Sequence, residues 1–437
     1  MVRWARSSIG LGLMLGTLVV PACTGEDPAL SVTLGDGGGT PPTTSGTPDT
    51  GGGSDSGGPT CPKDLGDCDG DPSTGCEASL LAPDNCGSCR HACGGTAACI
   101  AGQCAPETVS STLDHPFGFA LAGQRALWLS PDAVFGCTVA NCATSTAIMV
   151  DYDTSTVKPV PGQIYSPRQI AVDGTTFYYD TCTSALTGCA PAACPITGCK
   201  SGGAINGSTP VVTTSSRRRP TVLFGGPGAI YTYHGLDGLN RYSLPAPSTV
   251  TYPKMDLHDY FGDGYVDAQH FVYIDNNQSL ANPTGGLYVC PADGCVGTRG
   301  ATLLPPPVRL LAVANDIAFT TSGGNANRPS ASVIACSITG CGGAGTILAQ
   351  NQAYISDIVA DDRDVFWATI GAADPTTNTA PVGTIMRCSL PSCTGGPQKI
   401  ADQVLNPVGI QLDADYVYWI TYGTGTNKNG TLVRSRR

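Results

Sequence analysis

Charge is scarce in this 437-residue chain, where Asp, Glu, Lys and Arg together make only 13%, about half the share of an ordinary globular protein. What charge there is runs acidic, 34 Asp and Glu against 23 Lys and Arg, a net of -11. A nucleic-acid surface needs clustered Lys and Arg, so no nucleic-acid partner is expected. The one basic run, Arg217-Arg218-Arg219, reads as a solvated loop. Long apolar runs are missing too: beyond the first 22 residues nothing approaches the ~18 consecutive apolar residues of a spanning helix. The chain also lacks a GxSxG elbow, a phosphate-binding GxxxxGK[ST] loop, an HExxH pair and a dinucleotide-binding fingerprint. Its five histidines, His91, His115, His234, His258 and His270, are scattered without metal-ligand spacing. No catalytic residue and no cofactor is expected.

What the chain has is turns and a repeat. Gly (57) and Pro (34) make about a fifth of it, in keeping with many turns and few helices. Seven times an aromatic residue ends a short apolar run after a small turn: Trp128, Tyr179, Tyr231, Tyr273, Phe319, Trp367 and Trp419. Consecutive members lie 42 to 52 residues apart, and QIAVDGTTFYYD, DIVADDRDVFWA and GIQLDADYVYWI are visibly alike. About four short strands fit in such a unit, so the expected fold is all-β, a seven-bladed β-propeller over residues 106–437. The last repeat stops after its third strand, GTLVRSRR, while Glu107-Thr108-Val109-Ser110 stands spare before the first. Pairing the two would close the ring and remove exposed edges. The repeat resembles the broad class of YWTD-like and NHL-like propellers.

The remaining segments speak of export. Arg3 and Arg6 precede a short apolar core from Ile9 to Val20, then Val20-Pro21-Ala22-Cys23. Residues 1–22 thus read as a signal peptide resembling that of bacterial lipoproteins, which implies lipid on Cys23, a membrane partner reached through that lipid, and an outer-membrane location; plain secretion is the alternative. Lipidation of Cys23 leaves 20 of the 21 cysteines, an even number able to pair. Residues 23–60 are nearly all Gly, Thr, Ser, Pro and Asp, a flexible tether. Residues 61–105 hold eight cysteines, Cys61, Cys68, Cys76, Cys86, Cys89, Cys93, Cys99 and Cys104, in too few residues for a hydrophobic core. Four disulfides are expected, with connectivity open among 105 pairings. The wording DCDGDPSTGCE, DNCGSCRHAC and ACIAGQC resembles a cysteine module of secreted and lipid-anchored myxobacterial proteins; the resemblance implies no biochemical activity.

Twelve cysteines fall in the repeats. Cys194/Cys199, Cys290/Cys295, Cys336/Cys341 and Cys388/Cys393 share the spacing C-x4-C at the end of a third strand, where facing positions of a hairpin lie within disulfide reach. In the third repeat both cysteines of the pattern are replaced together, by Tyr242 and Pro247, as expected of bonded partners. Cys137/Cys142 and Cys182/Cys189 are read as local pairs in loops between second and third strands.

Three candidate surfaces remain. Asp67, Asp69, Asp71 and Glu77 alternate like calcium-binding oxygens, although Pro72 stands where an EF-hand-like loop needs glycine. Gln169, Asp263 and Asp357 occupy matching first-strand positions, where they would face a polar ligand or cation at the channel mouth. The long Asn-, Thr-, Ser- and Gly-rich connections between second and third strands would offer a protein or glycan the main binding face. The function expected is a non-enzymatic envelope protein that binds or scaffolds. The alternatives are a propeller lyase or hydrolase acting on envelope polysaccharide, and a purely structural spacer.

Overall fold

The computed structural model describes residues 60–130, 133–150, 170–182, 189–198, 209–210, 222–226, 228–234, 238–243, 249–251, 261–275, 286–292, 301–304, 311–322, 330–371, 381–424 and 428–437. Every regular element among them is a strand. Apart from two short hairpins in the cysteine-rich module, the strands form four-stranded antiparallel sheets. Six sheets are built from consecutive strands: sheet 1 (118–150), sheet 2 (170–210), sheet 3 (222–251), sheet 4 (261–304), sheet 5 (311–352) and sheet 6 (354–405). A seventh combines three strands from 407–436 with Glu107–Leu113 from the other end of the chain. Each first strand touches the first strand of the next sheet, and that of sheet 7 touches that of sheet 1. This is a β-propeller.

The seven aromatic anchors explain how the sheets stack. Each sits on a second strand, where alternation turns it to the sheet face, and all seven are buried. Tyr179 of sheet 2 packs with Leu127 and Leu129 of sheet 1. Trp367 of sheet 6 packs with Phe319 and Val333 of sheet 5, and Trp419 of sheet 7 with Phe366 and Ile385 of sheet 6. Trp128 of sheet 1 completes the circuit against Tyr418, Ile420 and Leu432 of sheet 7. A large apolar ring at one register position per sheet gives every seam the same filler. At the last seam the chain also needs room: a Cβ on Gly409 would stand 2.9 Å from the Cβ of Phe119. Glycine there lets sheets 7 and 1 approach.

The terminal strand pairs as the sequence implied and runs further, to Leu113. Its register sets Arg434 opposite Glu107, Leu432 opposite Ser110 and Gly430 opposite Leu113. The Arg434 guanidinium donates twice to Glu107 Oε2, at 3.0 and 2.8 Å, and Leu113 is buried among Phe119, Trp128 and Leu432.

The module preceding this strand is held by Cys61–Cys76, Cys68–Cys89, Cys86–Cys99 and Cys93–Cys104. Its small core is made of the cysteines themselves, Cys86, Cys93 and Cys104, with Ala97 and Cys99 against them. Disulfide density of this order belongs to extracytoplasmic proteins. The module belongs to the same compact unit as the propeller, Ser54–Arg437. Ser435 Oγ donates to the Cys104 carbonyl at 3.1 Å, and Gly94 lies against the Tyr416 hydroxyl.

Within the sheets, Cys336–Cys341 and Cys388–Cys393 are bonded across the turn from third to fourth strand. Cys194 and Cys290 are disulfide-bonded as well, while Cys199 and Cys295 lie outside the described residues. One expectation is corrected. Cys137–Cys142 is bonded, but Cys137 is on the third strand of sheet 1 and Cys142 on the fourth. It is therefore a further C-x4-C clamp, not a loop pair between second and third strands. The same placement removes the long connection expected there in sheet 1, whose second strand ends at Leu129 and third begins at Ala133. Cys182 and Cys189 face one another in register across the second and third strands of sheet 2.

Candidate functional site

Strand alternation gives the propeller two unlike ends. At the turn end lie the short connections from first to second strands and the connections from third to fourth, which disulfides clamp in sheets 1, 5 and 6. Charge ties it further at sheets 6 and 7. Asp364, buried, accepts from Arg387 Nε at 2.9 Å, Arg387 Nη2 at 3.0 Å and Ser389 Oγ at 3.0 Å. Arg437, with 3% of its side chain exposed, pairs with Asp361 and donates to the Asp413 carbonyl of sheet 7 at 2.9 Å. Burial pushes the Asp361 carboxyl up, but the Arg363 amide and the Arg437 guanidinium outweigh it and hold it below the usual carboxylate range. The cysteine-rich module packs at this same end of sheet 7, against Tyr416 and Ser435.

The recurring turn aspartates behave as turn chemistry. Asp267 accepts from the amides of Gln269 and His270, Asp361 from those of Arg363 and Asp364, and Asp413 from those of Asp415 and Tyr416. The local loop is closed by its own carboxylate.

The loop end is different. Beside sheet 6 it carries an open cleft of about 200 Å³ lined by Asn351, Gln352, Thr369, Thr384, Asp402 and Gln403, among others. Its floor is a hydroxyl pair, Thr369 Oγ1 and Thr384 Oγ1 at 2.7 Å, with the Thr384 amide donating to Thr369 at 3.0 Å. The Gln352 side chain is fixed between the buried Trp367 indole N–H, 3.1 Å away, and the Gln350 carbonyl. Lys399 and the Gln403 amide hold the exposed Asp402 carboxyl below its ordinary range. Asn351 and Gln403 are exposed, and both have left-handed backbones, φ 54° and 52°. Their side-chain amides are bonded to no described residue. The cleft therefore presents amides, hydroxyls and one carboxylate, with no histidine or cysteine in its lining. Such a surface suits hydrogen bonding to a polar partner.

The first-strand acids turn out to be part of the scaffold. Asp263 and Asp357 are 1% and 3% exposed, each just after a register shift in its strand. One oxygen of Asp263 accepts from the Gly264 amide at 2.9 Å, the other from the Leu311 amide of sheet 5 at 2.9 Å. Asp357 repeats the arrangement with Ile358 at 2.9 Å and Ile410 of sheet 7 at 3.0 Å. What these two acids hold is the neighbouring sheet. Gln169 lies outside the described residues.

In the module, Asp67, Asp69 and Glu77 converge, their oxygens all within 4.8 Å of one another. Asp71 is not in that group and caps Ser73 at 2.9 Å. Glu77 Oε1 already accepts from the amides of Cys68 and Asp69, and Asp67 from that of Gly70.

A signal that sequence reading passed over is the residue two positions beyond the anchors. Ser130, Asp275, Thr321, Thr369 and Thr421 are all buried polar groups at the loop end of second strands. Thr421 repeats the Thr369 geometry, bonding Thr431 Oγ1 at 2.9 Å. A polar residue recurring at one offset from a hydrophobic anchor is the pattern that could have revealed this layer.

No protein-family model matches the chain, and no curated protein matches it. Similar solved structures include the WD40 β-propeller domain of Doa1, 11% identical, TM-score 0.49, covering 76% of this chain and 97% of that one. The β-propeller domain of the Trilobed protease from Pyrococcus furiosus is 8% identical, TM-score 0.46, covering 70% and 91%. BamB from Moraxella catarrhalis is 12% identical, TM-score 0.44, covering 76% and 99%.

Proposed function

We propose that this chain is an exported, lipid-anchored envelope protein whose seven sheets close as a seven-bladed ring and whose loop end binds a polar partner without chemistry. The partner class is a glycan or a hydrogen-bonding protein surface. The contrast between the two ends carries the reading. The turn end is committed to itself through C-x4-C disulfides, the Asp361–Arg437 and Asp364–Arg387 pairs and the docked module. The loop end keeps exposed amides at Asn351 and Gln403 beside the Thr369–Thr384 hydroxyls, and adaptable loops on a rigid scaffold are where binding residues concentrate. A tether of nearly 40 residues after Cys23 would hold that end away from the membrane.

Two experiments test the reading. Full-length protein with residues 323–329 and 372–380, which lie between the strands, replaced by short Gly-Ser turns should keep its melting temperature and lose capture of envelope material. Capture at wild-type strength would end the loop-face assignment. Mass spectrometry should find Cys23 as a lipid-modified N-terminus; an unmodified Cys23 in culture supernatant would refute the anchor.

A further inference from the structure

At the turn end of the seam between sheets 4 and 5, three ligand-type side chains meet from two sheets. Asp267 and His270 close the first turn of sheet 4, and Asp316 occupies the corresponding turn of sheet 5. Their ligand atoms all lie within 4.8 Å of one another. His270 Nδ1 stands 3.4 Å from Asp267 Oδ2. Ligands held about 2.1 Å from a tetrahedral zinc ion stand about 3.4 Å apart, so this pair is already spaced as two vertices of such a site. Asp267 and His270 side chains are each 27% exposed and Asp316 is exposed, which leaves the site open to an ion from solvent.

The seam between sheets 6 and 7 supplies an internal comparison. There the equivalent carboxylate, Asp361, receives the Arg437 guanidinium. At Asp413, Tyr418 donates a hydroxyl at 2.8 Å. At the seam of sheets 4 and 5 the second oxygen of Asp267 instead faces an imidazole and a second carboxylate. No lysine or arginine among the described residues pairs with either acid. Two carboxylates set together without a cation repel.

We propose that Asp267, His270 and Asp316 form a binding site for one divalent transition-metal cation, with zinc as the reference occupant, joining sheets 4 and 5 where arginine joins sheets 6 and 7. One imidazole and two carboxylates select a borderline cation over calcium, which takes six to eight oxygens. A three-ligand set leaves a fourth position for water or an external ligand.

The test is titration of full-length, metal-stripped protein with Zn2+ by calorimetry, and with Co2+ by visible absorption, followed by thermal unfolding with and without metal. Asp316→Asn is the central variant, because asparagine tolerates the left-handed backbone at this position, φ 58°. Wild type should bind one Zn2+ and melt higher with it. Asp316→Asn and His270→Gln should each weaken binding by more than about tenfold and remove the metal-dependent rise in melting, with the metal-free melting of Asp316→Asn unchanged. Asp67→Asn, in the acidic turn of the module, should bind as wild type does. Absence of Zn2+ binding by wild type, or equal binding by wild type and Asp316→Asn, overturns the assignment.

Discussion

Replacing Asp357 by asparagine removes one acceptor from a buried site that needs two. The carboxylate is 3% exposed and takes N–H groups from its own strand at Ile358 and from the neighbouring sheet at Ile410, at 2.9 and 3.0 Å. A hydrogen bond to a charged acceptor contributes about 1.5–3 kcal/mol, and an abandoned buried donor costs about 1–3 kcal/mol. Asparagine keeps one bond, as a neutral one, and points an N–H at the other donor. It also spares the desolvation of a buried charge, which offsets part of the loss. The net expectation is a destabilisation of about 2 kcal/mol for Asp357→Asn, and the same for Asp263→Asn, whose partners Gly264 and Leu311 are equivalent. The two acids take different amides, at seams of different sheets, so the double variant should lose the sum, about 4 kcal/mol. Urea unfolding by tryptophan fluorescence reads this out, with an unchanged slope. A loss below about 0.5 kcal/mol for either single variant, the level of an ordinary surface change, would show that the acids do not clip the sheets.

Closure through the terminal strand predicts that Leu113→Ala, at a site 2% exposed, costs about 3 kcal/mol in thermal or urea unfolding; a silent substitution would detach Glu107–Leu113 from the core. The double change Cys388→Ser with Cys393→Ser opens a six-residue covalent loop and should cost about 2 kcal/mol by the chain-entropy relation, checked against wild type under non-reducing conditions. Burial raises the carboxyls of Asp114, Asp267 and Asp361, but hydrogen bonds and neighbouring charges, Lys428, the His270 amide and Arg437 among them, leave all three below 3.8. A depressed folded value stabilises above the unfolded one and is lost as pH falls through it. The melting temperature should therefore stay level from about pH 7 to 5 and fall below about pH 4; a rise on acidification would contradict the sign.

The parts of this fold that were legible are those written at fixed offsets along the chain. Trp128 to Trp419 recur because every seam needs the same buried ring, and the spare strand at Glu107 was visible because the last repeat lacked one. The strand pair holding Cys137 and Cys142 was misread because Gly136 and Asn141 look like loop residues, while the pairing of Gly136 with Leu127 and Thr146, and of Asn141 with Thr138, keeps them in the sheet. The role of Asp263 and Asp357 was hidden for a different reason. Their partners are backbone amides 48 and 53 residues away, and an amide leaves no mark in sequence. Asp316 joins Asp267 and His270 only because two successive turns share one end of the propeller. The cleft beside Thr369 joins strand ends of sheets 5 and 6, so no single motif announces it.

The binding assignment rests on the loop end acting and the turn end not, and sheet 6 presents an exposed residue at each: Gln403 beside the cleft and Asp362 in the turn. A photo-crosslinking amino acid placed at either position in intact producing cells samples both ends of one molecule under one set of conditions. Discrete crosslinked products from position 403 and none from position 362 are the predicted result; products from 362 alone, or none from 403, would contradict it.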